Sequence, residues 1–278
     1  MYPRSSVIGV AAVDPPVIAD RKRVFEDPPT AAMATFDSSG VGVPAFEDLR
    51  VAHHHLLEHI RAPGSWWSGA QRVAIAAESR QATSCGLCIR RKAALSPTHI
   101  EGVHDTLGTV PASTVDVIHR VRTDPGRLSR SWFESIVPAR LSDGEYVELV
   151  SVVALTAGLD FFARALGIPP YPLPDALPGD PSRYRAAFAR GGTAWVPMVA
   201  CEDASGAEAD LYEGLAFVPN IVRALSLVPR EVKALQCSSA AHYLPVKDIV
   251  DPAARRSLDR PQMELVAARV SALNQCFY

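Results

Sequence analysis

The amino-acid sequence predicts an all-α fold, and three observations lead to this prediction. Apolar side chains recur at helical spacing over several long stretches. Ser142 and Glu145 stand three residues apart, as the two partners of a helix-capping box do. No stretch of useful length alternates polar and apolar residues as a half-buried strand does. With 48% hydrophobic and 21% charged residues among 278, the chain has ample material for a core.

The first half of the chain is predicted to hold an extended arm and several helices. Residues 1–35 contain two Pro-Pro pairs and no sustained period, which indicates an extended N-terminal arm. An amphipathic helix is predicted over residues 46–60 and an alanine-rich, buried helix over residues 68–83. The basic segment at residues 89–92 predicts the next helix, and residues 107–124 predict another.

The second half is predicted to be divided by a proline-rich segment. A long helix is predicted over residues 142–167, where a glycine followed by two prolines gives the stop signal. Residues 168–182 contain six prolines, so they predict a stiff linker rather than a helix. Beyond it, a short helix is predicted over residues 184–190, and longer helices over residues 219–233 and 263–276.

Composition and charge exclude several function classes. A formal charge of -2, from 28 basic and 30 acidic residues, supplies no excess positive field to hold phosphates, so nucleic acid is not an expected partner. Residues 1–30 carry four acidic side chains and lack a long apolar run behind a basic start. Neither a signal peptide nor a membrane helix is therefore expected, and the expected location is the cytoplasm.

A CxxC motif, formed by Cys85 and Cys88, is the main candidate site. The five cysteines are an odd number and do not form the pattern of a secreted disulfide framework. A helix start lowers the pKa of a thiol, and the spacing lets one sulfur reach a sulfenic acid on the other. Redox chemistry is the preferred interpretation. A zinc site, which needs two more ligands, and an inert structural pair stay open.

The histidines supply a second candidate. Residues 55–59, His-Leu-Leu-Glu-His, match the HxxEH pattern of inverted zinc proteases. A solvated helix face is the favoured interpretation, because the third ligand of such enzymes cannot be assigned. His99, His104 and His119 are isolated in the sequence and are interpreted as packing residues. His104 and His242 are the two histidines that merit a test.

The cysteine segment recurs near the end of the sequence. Residues 263–276 repeat the pattern of residues 72–85, with Cys276 in the place of Cys85. In this register the position that corresponds to Cys88 would be residue 279, one beyond the last residue given. A shortened chain, a premature stop or a UGA codon for selenocysteine would each give this ending. Cysteine or selenocysteine is expected at that position in a longer chain, followed four residues later by histidine.

These two segments resemble the AhpD-like alkylhydroperoxidase and carboxymuconolactone decarboxylase family, whose repeat is a helix with an early glutamate, then CxxC and a histidine. Glu264 stands twelve residues before Cys276, as the family's proton-relay glutamate does before its first cysteine. The resemblance covers about residues 40–167 and 212–278. It implies an AhpD-like helical bundle with one complete repeat and part of a second.

The resemblance implies a four-part organisation. The N-terminal arm is followed by an AhpD-like helical domain with the CxxC motif at residues 36–167. A proline-rich linker at residues 168–211 then leads to an incomplete second repeat at residues 212–278. The family also implies self-association and no cofactor or metal.

The first copy departs from the family pattern at the relay positions. Val73 stands twelve residues before Cys85 in place of glutamate, and Lys92 stands four after Cys88 in place of histidine. Glu78, seven residues before Cys85, would share its helix face and is expected to substitute as the base. The resemblance assigns peroxide attack to Cys88 and resolution to Cys85. The candidate catalytic residues are Cys85, Cys88, Glu78, Glu264 and Cys276.

The resemblance implies a thiol-dependent peroxidase or disulfide oxidoreductase. Such a protein reduces a hydroperoxide to an alcohol and water, and a dithiol partner protein then reduces it. Two alternatives stay open: a decarboxylase-like enzyme of the same fold without cysteine chemistry, and a non-catalytic helical binding or scaffold protein. The expected partners are a hydroperoxide, the dithiol reductant and further copies of the chain.

Overall fold

The structure, a computed structural model, describes most of the chain after the predicted arm. The described residues run from Glu47 to Asn274, with gaps at residue 193 and at residues 214–217 and 246–247. The arm at residues 1–35 and the candidate Cys276 lie outside this part of the chain. All the described residues belong to one compact unit, Asp37–Tyr278.

The described part of the chain is helical, and it contains no β-strand beyond an isolated bridge between Arg190 and Met198. The all-α prediction is therefore confirmed. The first five helices are α1 (Glu47–Arg61), α2 (Gly69–Gln81), α3 (Gly86–Ala93), α4 (Ala112–Thr123) and α5 (Arg130–Ile136). The other four are α6 (Asp143–Ala165), α7 (Asn220–Arg223), α8 (Pro229–His242) and α9 (Arg260–Leu273).

Helix α6 is the central element of the bundle and packs against α2, α4 and α8. It begins at the predicted capping box, in which Ser142 accepts a hydrogen bond from the Glu145 backbone. It ends before Gly167, whose φ of 70° favours glycine. By length and composition alone α6 could cross a membrane, but 61% of its most apolar window is buried inside the protein, as in a core helix.

Prolines explain two of the differences between the observed and the predicted helices. Helix α4 begins only after Pro111, not at residue 107, because a proline inside a helix has no N–H to donate and clashes with the preceding turn. The helix predicted over residues 219–233 is divided, since Pro229 starts α8 afresh. Residues 184–190 are not helical. Helix α5 was not predicted, because its seven residues are too few to show a period.

The main hydrophobic core includes residues from both sides of the proline-rich segment. Leu56 of α1 and Val152 of α6 belong to the same buried cluster as Leu227 and Ala234. The proline-rich segment itself lies against the C-terminal end of α1, where the Leu177 N–H donates to the Arg61 carbonyl at 2.9 Å. Helix α8, from the predicted second repeat, thus packs on helices of the first.

A buried charge network connects α2, α6 and α8. Arg72 is fully buried and forms ion pairs with Glu148 and, at 2.9 Å, with Glu231. Its second terminal nitrogen donates to the His59 carbonyl at 3.1 Å. The His59 ring in turn lies 2.9 Å from Glu231. His59 is therefore part of the helix packing and not of a solvated face.

Candidate functional site

The CxxC motif lies at the junction between α2 and α3. A 3-10 turn, Ala82–Ser84, follows α2, and Cys85 is the N-cap residue of α3. Cys88 lies one helical turn further and shares its face, because residues three apart in a helix are neighbours. The exposed fractions of Cys85 and Cys88 are 0% and 3%. Both cysteines are free thiols in the structure.

Two histidines that are distant in sequence complete this group. His104 comes from the loop before α4, and its Nδ1 lies 3.6 Å from Cys85 Sγ and 3.5 Å from Cys88 Sγ. His119 comes from α4, and its Nδ1 lies 3.3 Å from Cys88 Sγ. All four donor atoms lie within 4.8 Å of one another. Both histidines therefore contact a cysteine and are not isolated in the structure, and His104 is one of the two histidines that the sequence singled out for a test. Below, Cys85, Cys88, His104 and His119 are called the thiol–imidazole cluster.

Glu78 contacts this cluster through a histidine rather than through a thiol. Its Oε1 lies 2.8 Å from His119 Nε2, and both side chains are fully buried. The other carboxylate oxygen accepts the Leu107 backbone N–H at 3.0 Å. Contrary to the expectation that Glu78 acts directly on the thiol, its carboxylate orients an imidazole.

Asp116 plays the corresponding role for His104. Its Oδ1 lies 3.0 Å from His104 Nε2 and accepts a hydrogen bond from Arg91 at 2.9 Å. Its Oδ2 accepts the Trp132 ring N–H at 3.0 Å. Burial raises the pKa of Asp116, but the bonds from His104, Trp132 and Arg91 outweigh it and keep the carboxyl ionised. Sequence analysis did not identify Asp116.

The cluster shifts the pKa values of its own members. Burial raises the pKa of Cys88, but hydrogen bonds with His104 and His119 more than offset this and lower it to about 6. Burial lowers the pKa of His104, whereas its bonds with Asp116 and the two thiols raise it to about 10. Without a bound cation, the favoured state at neutral pH is therefore a thiolate beside an imidazolium.

Backbone groups also hold Cys85. The Asp105 N–H donates to Cys85 Sγ at 3.4 Å, and the Asp105 side chain accepts the Gly86 N–H at 2.7 Å. Burial raises the pKa of Cys85, but the backbone N–H groups of Cys88 and Asp105, together with His104, bring it below its usual value. The loop around Asp105 thus fixes Cys85 in the cluster.

A cavity of about 700 Å³ opens beside Cys88. Its lining combines apolar side chains, including Phe161 and Ile168, with four basic residues and one acidic residue. The basic residues are Arg80, Lys92, Arg122 and Arg164, and the acidic residue is Asp160. Asp160 forms ion pairs with Arg80 at 2.8 Å and Arg122 at 2.9 Å. Lys92 and Arg164 form no ion pair with the described residues, so the cavity carries unbalanced positive charge.

The other predicted site residues lie elsewhere. Glu264 is on α9, where it accepts a hydrogen bond from Tyr243 and pairs with Arg260 at 2.7 Å. It does not belong to the thiol–imidazole cluster. Cys276 lies outside the described residues. Cys201 is exposed and Cys237 is half-buried, and both are free thiols apart from the cluster.

The HxxEH motif does not form a metal site among the residues that the structure describes. The one group there that could hold a metal ion is the thiol–imidazole cluster, which contains neither His55 nor His59. A sequence signal for this cluster was available, since Cys85 and Cys88 are followed by fifteen residues and then His104. That spacing is typical of zinc motifs, but His119 comes much later than the fourth ligand of such motifs.

Searches of protein-family models, of curated proteins and of solved structures find no match for this chain.

Proposed function

We propose that this protein is a thiol-dependent oxidoreductase, similar to AhpD-like alkylhydroperoxidases, that reduces hydroperoxides through Cys85 and Cys88. The observation that carries the proposal is the position of Cys88 Sγ, 3.3 Å from His119 Nδ1 and 3.5 Å from His104 Nδ1. Two imidazoles, each oriented by a carboxylate, stabilise a thiolate at that position.

Cys88 is the attacking residue in this proposal. Its thiolate donates an electron pair to the distal peroxide oxygen, the O–O bond breaks, and the sulfur becomes a sulfenic acid. The alkoxide that leaves takes the Nδ1 proton of His119 and departs as the alcohol. Glu78 touches none of the reacting atoms. It is a positioning residue that fixes the orientation and the protonated form of His119.

Cys85 completes the cycle as the resolving residue. Its sulfur attacks the sulfenic sulfur of Cys88, which forms the disulfide and releases the oxygen as water. A dithiol partner protein then reduces this disulfide by exchange and is itself oxidised to a disulfide. Both thiols of the cluster are thereby restored.

The cavity beside Cys88 supports an organic, anionic hydroperoxide as the substrate. Its apolar wall, which includes Phe161 and Ile168, suits a hydrocarbon chain. Lys92 and Arg164 supply positive charge for a carboxylate at the other end of the substrate. A fatty-acid hydroperoxide combines these two features, whereas hydrogen peroxide has neither.

Self-association and a cytoplasmic location belong to the same proposal. Helix α9 exposes a group of large apolar side chains, which supports a contact with a second copy of the chain. These side chains are Leu265, Val266, Val270 and Leu273. The formal charge of -2 gives no support to nucleic acid as a partner.

The test is hydroperoxide consumption, with a dithiol donor, by protein that has been freed of any bound metal with a chelator. Cys88→Ser is compared with wild type, and Cys237→Ser, outside the cluster, is the matched control. We expect loss of consumption in Cys88→Ser and an unchanged rate in Cys237→Ser. Equal rates for all three proteins would reject the proposal, and would favour an enzyme without cysteine chemistry or a non-catalytic scaffold.

A further inference from the structure

The thiol–imidazole cluster has the donor set of a tetrahedral metal site. Two sulfur atoms and two imidazole nitrogens converge from a helix start, a loop and a second helix. The four donor atoms lie within 4.8 Å of one another, and three of the four residues are fully or almost fully buried. The zinc site that the sequence left open lacked two ligands, and His104 and His119 supply them.

Three S···N distances within the cluster match those of a four-coordinate zinc ion. Zinc bonds of about 2.3 Å to sulfur and 2.0–2.1 Å to nitrogen place neighbouring S and N ligands about 3.6 Å apart in a tetrahedron. The three observed S···N distances are 3.3, 3.5 and 3.6 Å. The other donor pairs are at most 4.8 Å apart. Three of the four S···N pairs are thus already at about the separation that one zinc ion requires.

Each histidine is also held as zinc-bound histidines are. A metal-ligating imidazole almost always donates its second N–H to a carboxylate or carbonyl, which fixes its tautomer. His119 Nε2 lies 2.8 Å from Glu78, and His104 Nε2 lies 3.0 Å from Asp116. Both Nε2 atoms therefore carry the proton in the neutral ring, and both Nδ1 lone pairs face the sulfurs.

The donor chemistry favours zinc over the hard divalent cations Mg²⁺ and Ca²⁺. Thiolate and imidazole ligands suit Zn²⁺, whereas Mg²⁺ and Ca²⁺ require oxygen ligands. Two thiolates balance the charge of the ion, so that the metal with its four ligands is neutral in a buried place. The Asp105 N–H, which donates to Cys85 Sγ at 3.4 Å, would support a bound thiolate in the same way.

We propose that the reduced protein binds one Zn²⁺ ion through Cys85 Sγ, Cys88 Sγ, His104 Nδ1 and His119 Nδ1. The ion occupies the sulfur atoms on which the proposed peroxide chemistry depends. It therefore holds the pair in a reduced, less reactive form, and Cys88 attacks the peroxide faster once the ion has left. This regulation rests on the proposed function, whereas the metal site itself does not.

Oxidation and metal release are coupled in this scheme. A hydroperoxide and two protons convert the zinc dithiolate to a disulfide, an alcohol and water, with release of Zn²⁺. The sulfurs lose two electrons, and the O–O bond gains them. The position of Cys88 on the cavity wall gives the peroxide access to one metal-bound sulfur.

The first experiment measures metal content and cobalt binding. Protein reduced and purified without chelator is analysed for zinc, and the chelator-treated protein is titrated with Co²⁺, whose thiolate charge-transfer bands report sulfur ligation. We expect one zinc per chain and one Co²⁺ equivalent with those bands. The variants Cys85→Ser and His104→Gln should lose both the bound zinc and the charge-transfer bands, and Cys237→Ser should keep both. Circular dichroism shows whether each variant remains helical.

Asp116→Asn provides a milder variant that retains all four ligands. Loss of an outer carboxylate costs metal affinity about 10–100-fold, so its zinc affinity should fall within that range. A wild-type protein that is helical, has alkylatable thiols at Cys85 and Cys88 and binds no zinc or Co²⁺ would overturn the inference. So would binding that both Cys85→Ser and His104→Gln leave unchanged.

The experiments test the proposed function and the proposed zinc site independently. Hydroperoxide consumption is measured on the metal-free protein, so zinc binding without consumption would remove only the proposed function. Consumption without zinc binding would remove only the metal site. If both hold, the zinc-loaded protein should consume hydroperoxide more slowly and should release one Zn²⁺ for each disulfide formed. An equal rate for the loaded and metal-free protein would overturn the regulation.

Discussion

The Nε2 atom of His119 lies 2.8 Å from the Oε1 atom of Glu78, and both side chains are fully buried. A buried carboxylate in this position keeps the Nε2 proton in place and supports positive charge on the ring. Burial lowers the pKa of His119, but its bonds with Cys88 and Glu78 raise it above the usual value. The effect of Glu78 on the thiol is thus transmitted by an imidazole.

Glu78→Gln should therefore raise the pKa of the Cys88 thiol in the metal-free protein above its value of about 6. A neutral amide supports the His119 cation less well, so the thiolate loses part of its stabilisation. The rate of alkylation against pH measures this pKa, and its midpoint should move to higher pH. The matched control is Glu134→Gln, at an exposed carboxylate of α5. An unchanged midpoint in Glu78→Gln would remove the proposed role.

Mild oxidation of the metal-free protein should join Cys85 to Cys88 in a reversible disulfide. The two sulfurs are free and lie within 4.8 Å of each other, and the residues are one helical turn apart. Two thiols should become resistant to alkylation, and mass mapping should locate the loss of two hydrogens on the peptide with Cys85 and Cys88. Linkage through Cys201 or Cys237 instead would place the redox site elsewhere.

Removal of the positive charge in the cavity should weaken the use of anionic substrates only. The double variant Lys92→Gln/Arg164→Gln should raise KM for a fatty-acid hydroperoxide roughly two- to fivefold per charge, as expected for exposed charge pairs. KM for the neutral cumene hydroperoxide should stay the same. Steady-state kinetics with both peroxides make this comparison, and an equal change in both would argue against carboxylate binding at these residues.

Arg72→Met should destabilise the fold strongly. The substitution leaves Glu148 and Glu231 buried without their cation, and the loss of one member of a buried ion pair costs about 3–5 kcal/mol. Urea unfolding measures this free energy. Arg130→Met is the control, because the pair of Arg130 with Glu134 is exposed and should contribute less than about 1 kcal/mol. Similar losses in the two variants would contradict the role of the buried network.

The stability of the protein should fall between pH 6.5 and pH 4 because of His53. Tyr171 lies 2.8 Å from His53 Nδ1, and His53 Nε2 lies 2.9 Å from His242 Nε2. His242 Nδ1 lies 2.9 Å from the Ser238 carbonyl oxygen and donates to it. Burial, with the nearby His242, lowers the pKa of His53 from 6.5 to about 4.

The sign of this effect follows from proton binding. Below pH 6.5 the unfolded chain binds a proton at His53 that the folded protein does not bind until about pH 4, so the unfolded state gains stability. The unfolding free energy of wild type relative to His53→Gln should therefore be larger at pH 7 than at pH 4.5. Urea unfolding at both pH values checks this, and His99→Gln serves as the exposed control. A difference that does not vary with pH would rule out His53 as the cause.

The sequence alone determined the all-α class, the capping box of α6 and the position of the CxxC motif at a helix start. These features depend on contacts between residues three or four apart and on the local properties of proline and glycine, so a local pattern is enough to predict them. The same local signals explain why a new helix, α8, begins at Pro229.

Only the tertiary structure decided the composition of the site. His104 and His119 are 16 and 31 residues from Cys88, and they reach it because α4 packs beside α2 and α3. No local period records such a contact, since it arises from the packing of whole helices and not from the spacing along one of them. For the same reason Glu78, which the sequence placed on the face of Cys85, contacts His119 instead of a sulfur atom.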